Sequence, residues 1–194
     1  MSFDDEEVGV CEERLLRAMT TLKAMLKRRG YTKFKDEDAN VFTAESTTLG
    51  KIRCAFTGDW DSTTRIKTVE KFAQALEDDD IPRGILLAGI DITTQAAQHL
   101  RESKVGTGAI VEFFTIKELS HDIMEHYLMP KYRLLNDKEA ADVMKRYLVN
   151  AEQLPEMKQS DPVARYYGLQ PTQMLEVTRS NDSCGTEVLY RVIR

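Results

Sequence analysis

The feature that most constrains the fold is a pair of short, nearly continuous apolar runs with a helical pattern between them. Gly84 to Ile90 contains Ile85-Leu86-Leu87-Ala88, and Ala109-Ile110-Val111-Glu112-Phe113-Phe114 follows further on. Side chains alternate sides along a strand, so a strand that is apolar at consecutive positions must be covered on both faces. Between the two runs, Thr94 to Ser103 reads as a helix. Strands alternating with helices point to an α/β layer architecture.

The residues upstream extend this pattern. From Cys11 to Arg29, the residues Leu15, Leu16, Met19, Leu22 and Leu26 recur at helical spacing and form the expected core stripe. Lys27-Arg28-Arg29 then meets the negative end of the helix dipole, which is enough to explain three cations there, and Gly30 supplies the left-handed stop. Val41-Phe42-Thr43 and Ile52 to Phe56 read as two strands, with Gly50 near a turn. Ser62 is the expected N-cap of a second helix, whose inner face is Ile66, Val69, Phe72 and Leu76. Asp78-Asp79-Asp80, followed by Ile81-Pro82, ends it. Thr115 and Glu118 are spaced as a capping box for a further segment.

The pattern changes near His121. Asn136 and Glu139 form a second capping box, opening a helix through about Leu148. Asp161-Pro162 reads as an N-cap followed by proline at the first helical position, and Gly168 closes that short helix. Met174 to Arg179 and Glu187 to Ile193 read as two strands around the turn-rich residues 180–185, with Val188, Tyr190 and Val192 on one face. The chain therefore reads as two domains. Residues 1–122 form an α/β domain, and residues 123–194 a small α+β domain with a terminal β-hairpin.

Composition narrows the function. A formal net charge of -5 argues against a dedicated nucleic-acid binder, while leaving room for a few contacts from one edge. Cys11, Cys54 and Cys184 form no CxxC pair and sit at no metal-ligand spacing with His99, His121 or His126, so free thiols and no metal are expected. No apolar run approaches the length of a membrane span, and the acidic start Asp4-Asp5-Glu6-Glu7 is unlike a signal peptide. An intracellular protein is the expectation. No phosphate loop or nucleophile elbow stands out, and neither a cofactor nor a small-molecule substrate is expected.

The second domain carries a set of motifs in order. His126-Tyr127-Leu128-Met129-Pro130-Lys131-Tyr132 resembles H-x-L-V-P-K-H. Gln153-Leu154-Pro155 matches QLP, Asp161 to Gly168 matches DPVARYxG, and Tyr190-Arg191 matches a closing Y-R. Together these resemble the shared fifth subunit of the eukaryotic nuclear RNA polymerases, whose C-terminal domain is similar to a small subunit of the archaeal polymerase. Upstream the likeness is looser: Leu26 to Tyr31 resembles L-x-x-R-G-Y, and Ile92 to Ala96 a T-P-x-A loop.

The resemblance implies an architectural role in the nucleus, with assembly in the cytoplasm left open. The C-terminal domain would dock on the largest polymerase subunit. His126, Pro130, Lys131, Leu154, Pro155, Asp161, Pro162, Arg165, Tyr166, Gly168, Tyr190 and Arg191 are the matched residues. The N-terminal domain would have a restriction-endonuclease-like fold without nuclease chemistry and form part of the lower jaw. There it would make limited contacts to downstream duplex DNA through Thr93, Thr94, Gln95 and Ala96. From their chemistry alone, Arg165 and Arg191 suit a surface charge or an interface, and Tyr166, Tyr167 and Tyr190 suit a core or an interface equally. Thr93 and Thr94 also suit a helix cap.

The sequence departs from the family pattern in four places. Tyr132 stands where the family has histidine, and Thr94 where it has proline. Gln170-Pro171-Thr172 replaces K-R-G, and Thr186 and Glu187 replace a basic and an aromatic residue. Several lost cations suggest a diverged copy that serves a restricted set of polymerases.

Two other classes are kept in view. An Mg²⁺-dependent nuclease of this fold needs an acidic residue and an E-x-K arrangement, and Asp91 followed by Glu102-Ser103-Lys104 matches formally. Glu102, however, falls in the expected helix and not on a strand. Glu156-Met157-Lys158 has the same letters in the other domain. The third class is a free-standing protein-interaction module.

Overall fold

The computed structural model describes residues 5–38, 40–58, 60, 62–103, 109–181 and 185–194. The chain divides into two compact units, Met1–Asp122 and Ile123–Arg194. Among the described residues, no helix is long and apolar enough to cross a membrane.

The first unit runs α1 (Asp5–Arg28), β1 (Lys33–Asp38), β2 (Val41–Ser46), β3 (Gly50–Phe56), α2 (Ile66–Asp78), β4 (Arg83–Ala88), α3 (Thr94–Ser103) and β5 (Ile110–Thr115). Its five strands lie in chain order, with β1, β2 and β3 antiparallel and β3, β4 and β5 parallel. The parallel pairs need crossovers, and α2 and α3 supply them. Register separates the two faces. Phe42, Cys54, Ile85 and Glu112 form one row across the sheet, and Ala55, Leu86 and Phe113 a row on the opposite face. The second row packs under α2 and α3, through Val69, Phe72, Leu76, Ala96 and Leu100. The first row lies toward α1, from which Lys23 Nζ reaches 5.2 Å from the Phe42 ring centroid. Helices on both faces explain why β4 reads as a continuous apolar run.

Gly84 shows how close the α2 packing is. A Cβ there would lie 2.4 Å from Leu76 Cδ1 and 2.6 Å from Phe72 Cε1. Only a residue without a side chain lets the helix approach the strand this closely.

Two expectations for this unit need correction. Leu16 is 69% exposed, because the buried face of α1 is set by Ala18, Leu22, Met25 and Leu26, and Leu16 points away from it. Ser62 does not cap α2. The helix starts at Ile66, with Arg65 as an N-cap that makes no side-chain bond. The cause is Thr64, which is held extended beside Ile92: its N–H donates to the Asp91 carbonyl at 3.1 Å, and its carbonyl accepts from Thr93 N at 3.1 Å. Thr115 and Glu118 do exchange capping-box bonds, Glu118 Oε2 accepting from Thr115 N at 2.9 Å and Thr115 Oγ1 from Glu118 N at 3.2 Å. Only a turn follows them. Strand β1, largely charged and on the sheet edge, has no apolar alternation to announce it.

The second unit runs β6 (Lys131–Leu134), α4 (Asp137–Tyr147), β7 (Glu156–Met157), α5 (Pro162–Tyr167), β8 (Met174–Asn181) and β9 (Gly185–Ile193), with short 3₁₀ turns at Ile123–Glu125 and Ala151–Gln153. The strand order is β6-β8-β9-β7, with β8 and β9 as the terminal antiparallel hairpin. One face packs Leu135, Met174 and Val192 on Val143 of α4, and the other packs Leu175, Ile193 and Met157 on Ala164 of α5. The overall class is the expected one: mixed α/β followed by a small unit with a C-terminal hairpin. Strands β6 and β7 are too short to carry a period and exist because β8 and β9 offer backbone partners.

The caps of this unit form as read from the sequence. Asn136 Oδ1 accepts from Glu139 N at 2.9 Å, and Glu139 Oε2 accepts from Asn136 N at 2.9 Å. Asp161 Oδ1 accepts from Val163 N at 2.8 Å, Pro162 is the first helical residue, and Gly168 ends α5 at φ 63.

Thr172 sits at φ 75, in a turn where Gln173 N donates to the Gln170 carbonyl at 3.3 Å. A β-branched residue is strained at positive φ. Thr172→Gly is therefore expected to stabilise the second unit by about 1 kcal/mol, net of the entropy glycine adds to the unfolded chain. Urea denaturation checks this; a midpoint lower than wild type would mean that the turn holds no strain.

Candidate functional site

The loop after β4 places Thr93, Thr94, Gln95 and Ala96 at the start of α3. Thr93 Oγ1 accepts from Ala96 N at 3.4 Å, so this hydroxyl is turned toward the helix end as a cap. Asp91 Oδ1 accepts from Ile92 N at 2.8 Å in the same loop. Thr94 and Gln95 are exposed, whereas Ala96 is fully buried under the helix. The side chains that meet solvent are thus Thr94 and Gln95. The Thr64–Ile92 bridge also brings the start of α2 beside this loop, which no local pattern announces.

Of the nuclease-like letters, those in the described residues lie in different elements. Asp91 follows β4, Glu102 lies in the last turn of α3, and Lys104 is outside the described residues. Glu156 lies in β7 of the other unit and pairs with Arg194. Among the described residues, no group of three or more His, Cys, Asp or Glu side chains could hold a metal ion. Cys54 is fully buried, and burial pushes its thiol far above the usual range, so it offers no thiolate. Cys11 is a partly buried free thiol, and Cys184 is outside the described residues.

In the second unit, the matched residues fall into two groups. Asp161, Pro162 and Gly168 begin and end α5, and Tyr166 of that helix is buried, 3% exposed. Leu154 is half-buried against the α4 side of the sheet. These residues hold the unit together. The second group reaches the surface. His126 stacks 5.1 Å from Tyr127, and its Nδ1 accepts from Leu128 N at 3.3 Å, forming a turn from which Tyr127 and Leu128 project. Lys131 and Pro155 are exposed, while Pro130 and Arg165 are half-buried. Arg191 reaches the Glu156 carbonyl at 3.5 Å, and the Tyr190 ring lies 5.8 Å from that of Tyr147. Tyr132, where the family has histidine, lies 6.5 Å from Tyr167, and burial raises its phenol above the usual range.

Residues 121–193 match the family model for the RNA polymerase Rpb5 C-terminal domain. That span, the second unit, is similar to the C-terminal domain of an Rpb5-like RNA polymerase subunit. No curated protein matches it closely enough to count as a relative.

Within the Rpb5-like C-terminal domain, the structure adds charged contacts that spacing did not reveal. Arg133 of β6 donates to Glu176 of β8 at 3.1 Å and to Glu139 of α4 at 2.6 Å. The Glu139 carboxyl is held below the usual carboxylate range first by the Asn136 backbone N–H and then by Arg133. The capping box is therefore tied to the sheet. In the N-terminal unit, the helix dipole does not suffice to explain Arg28 and Arg29. Arg28 pairs with Asp122, and Arg29 forms a two-pronged bond to Glu112 of β5 at 2.9 and 2.7 Å.

Proposed function

We propose that this chain is a non-catalytic, architectural subunit of nuclear DNA-directed RNA polymerase, with the active site in other subunits. The C-terminal unit docks on the largest subunit. The N-terminal unit, of restriction-endonuclease-like type, forms part of the lower jaw and meets downstream duplex DNA through the exposed Thr94 and Gln95. The observation that carries this reading is the Rpb5 C-terminal domain match over residues 121–193. The motif residues within that span also build the domain: the caps of α5, the ring of Tyr166 and the Arg191 contact to β7. The mixed five-stranded sheet of the first unit is compatible with the jaw role, and hydroxyl and amide groups suit limited phosphate contacts. The departures at Tyr132, Thr94, Thr172, Thr186 and Glu187 support a diverged copy with restricted polymerase usage.

Affinity purification of the tagged chain tests the reading. The largest polymerase subunit is expected to co-purify, and the chain is expected to elute with a very large complex. A chain that elutes free, without polymerase subunits, would overturn it. Comparing its stoichiometry across the separately purified nuclear polymerases tests the restricted usage, which equal amounts in all of them would refute.

A further inference from the structure

Three other helices of the chain end in the same kind of turn as α4. In each, an N–H donates back across the turn: Tyr31 to Leu26, Ile81 to Leu76, Leu169 to Ala164 and, at α4, Val149 to Met144. The residue before that donor has positive φ. It is Gly30, Asp80 and Gly168 in the first three, types that tolerate left-handed backbone. At α4 it is Leu148, with φ 54 and 90% of its surface exposed. Leucine is unfavourable there on two counts. Its Cβ crowds the backbone, and within this chain its side chain gains almost nothing from burial. An outlier with no benefit to the fold points to a role outside it.

The surroundings identify what kind of surface would cover Leu148. Tyr147 is 54% exposed and rests against Tyr190, which shares a face of β9 with the 42% exposed Val188. Lys145 and Arg146, in the last turn of α4, are exposed and make no ion pair among the described residues. Asp142, on the preceding turn, pairs with neither. Arg133 and Glu176, which flank Tyr190, are bonded to each other. The patch is therefore apolar at its centre with two uncommitted cations at its side. A symmetric contact with a second copy would bring like charges together. Nucleic acid would leave the leucine and valine unused.

We propose that Leu148 and Tyr147 are the anchor of the polymerase-docking surface, seated in an apolar pocket of another polymerase subunit whose rim carries carboxylates facing Lys145 and Arg146. The proposal rests on the reading of the chain as a polymerase subunit and names the place through which it binds.

The test uses the full-length tagged chain as wild type, as Leu148→Gly and as the double variant Lys145→Glu/Arg146→Glu. Two readouts are needed: the largest polymerase subunit recovered per tagged chain, and the melting temperature of the purified protein. Glycine relieves the left-handed backbone, so Leu148→Gly is expected to melt at or above the wild-type temperature. It is nevertheless expected to recover about tenfold less polymerase, as loss of a central anchor does. The charge reversal is expected to lower recovery similarly, with the fold intact. Unchanged recovery by Leu148→Gly, or a lowered melting temperature, overturns the anchor. So does a wild-type dimer that Leu148→Gly dissociates. A wild-type chain that recovers no polymerase subunit overturns the underlying reading as well.

Discussion

Glu112→Leu alone is expected to destabilise the N-terminal unit by about 3–5 kcal/mol, whereas Arg29→Met combined with Glu112→Leu should be close to neutral or stabilising. The Arg29 side chain is 3% exposed and that of Glu112 14%, and two hydrogen bonds join them. The pair ties the end of α1 to β5 across 83 residues of chain. Removing the carboxylate takes two hydrogen bonds and a nearby negative charge from a poorly solvated guanidinium, and the large effect is that loss. Removing both groups removes the desolvation problem together with the attraction. The chain has a single tryptophan, Trp60, packed 5.0 Å from Phe56 at the end of β3. Its fluorescence during urea unfolding therefore reports on this unit alone. A loss below about 1 kcal/mol for the single variant would mean that the pair behaves as a solvated surface bridge.

Tyr166→Ala should remove about 3–5 kcal/mol from the C-terminal unit, a large share of what a small domain has. The ring is 3% exposed and lies 5.5 Å from Tyr167 in an edge-on arrangement. Polymerase association is expected to fail in this variant because the domain unfolds, in contrast to Leu148→Gly, where the fold survives. Amide exchange in β8 and β9 distinguishes the two, since the strands should lose protection in Tyr166→Ala. A variant that keeps full protection and still fails to bind would make Tyr166 an interface residue.

These two predictions differ in how much the sequence revealed of them. Tyr166 stands in a segment whose boundaries are written locally: an aspartate and a proline begin the helix and a glycine ends it. From the sequence alone its ring suited a core or an interface equally, and only its burial in the folded unit, at 3% exposure, decided between them. Arg29 looked sufficiently explained by the helix dipole, since nothing within reach of it in sequence is its partner. The α3 cap had a similar ambiguity. Thr93 or Thr94 could be read as a cap or as a phosphate contact, and the bond from Ala96 N assigns the capping role to Thr93.

What the sequence by itself determined is local or ordinal. Capping boxes, proline at a helix start, glycine at a helix end and apolar runs act through bonds and burial within a turn or a strand, so residue order suffices to read them. The ordered motifs from His126 to Arg191 pointed to the polymerase family in the same way. Tertiary structure decided what depends on partners distant in the chain. Thr64 paired with Ile92 and moved the start of α2 from Ser62 to Ile66. The edge strands β1, β6 and β7 exist because neighbouring strands had backbone groups to satisfy. Leu16 and Leu148 were left in solvent although their residue type suits a core. Hydrophobic character states that a side chain gains by leaving water. Which side chains do so within this chain, and which remain for a partner, is set by the geometry of packing.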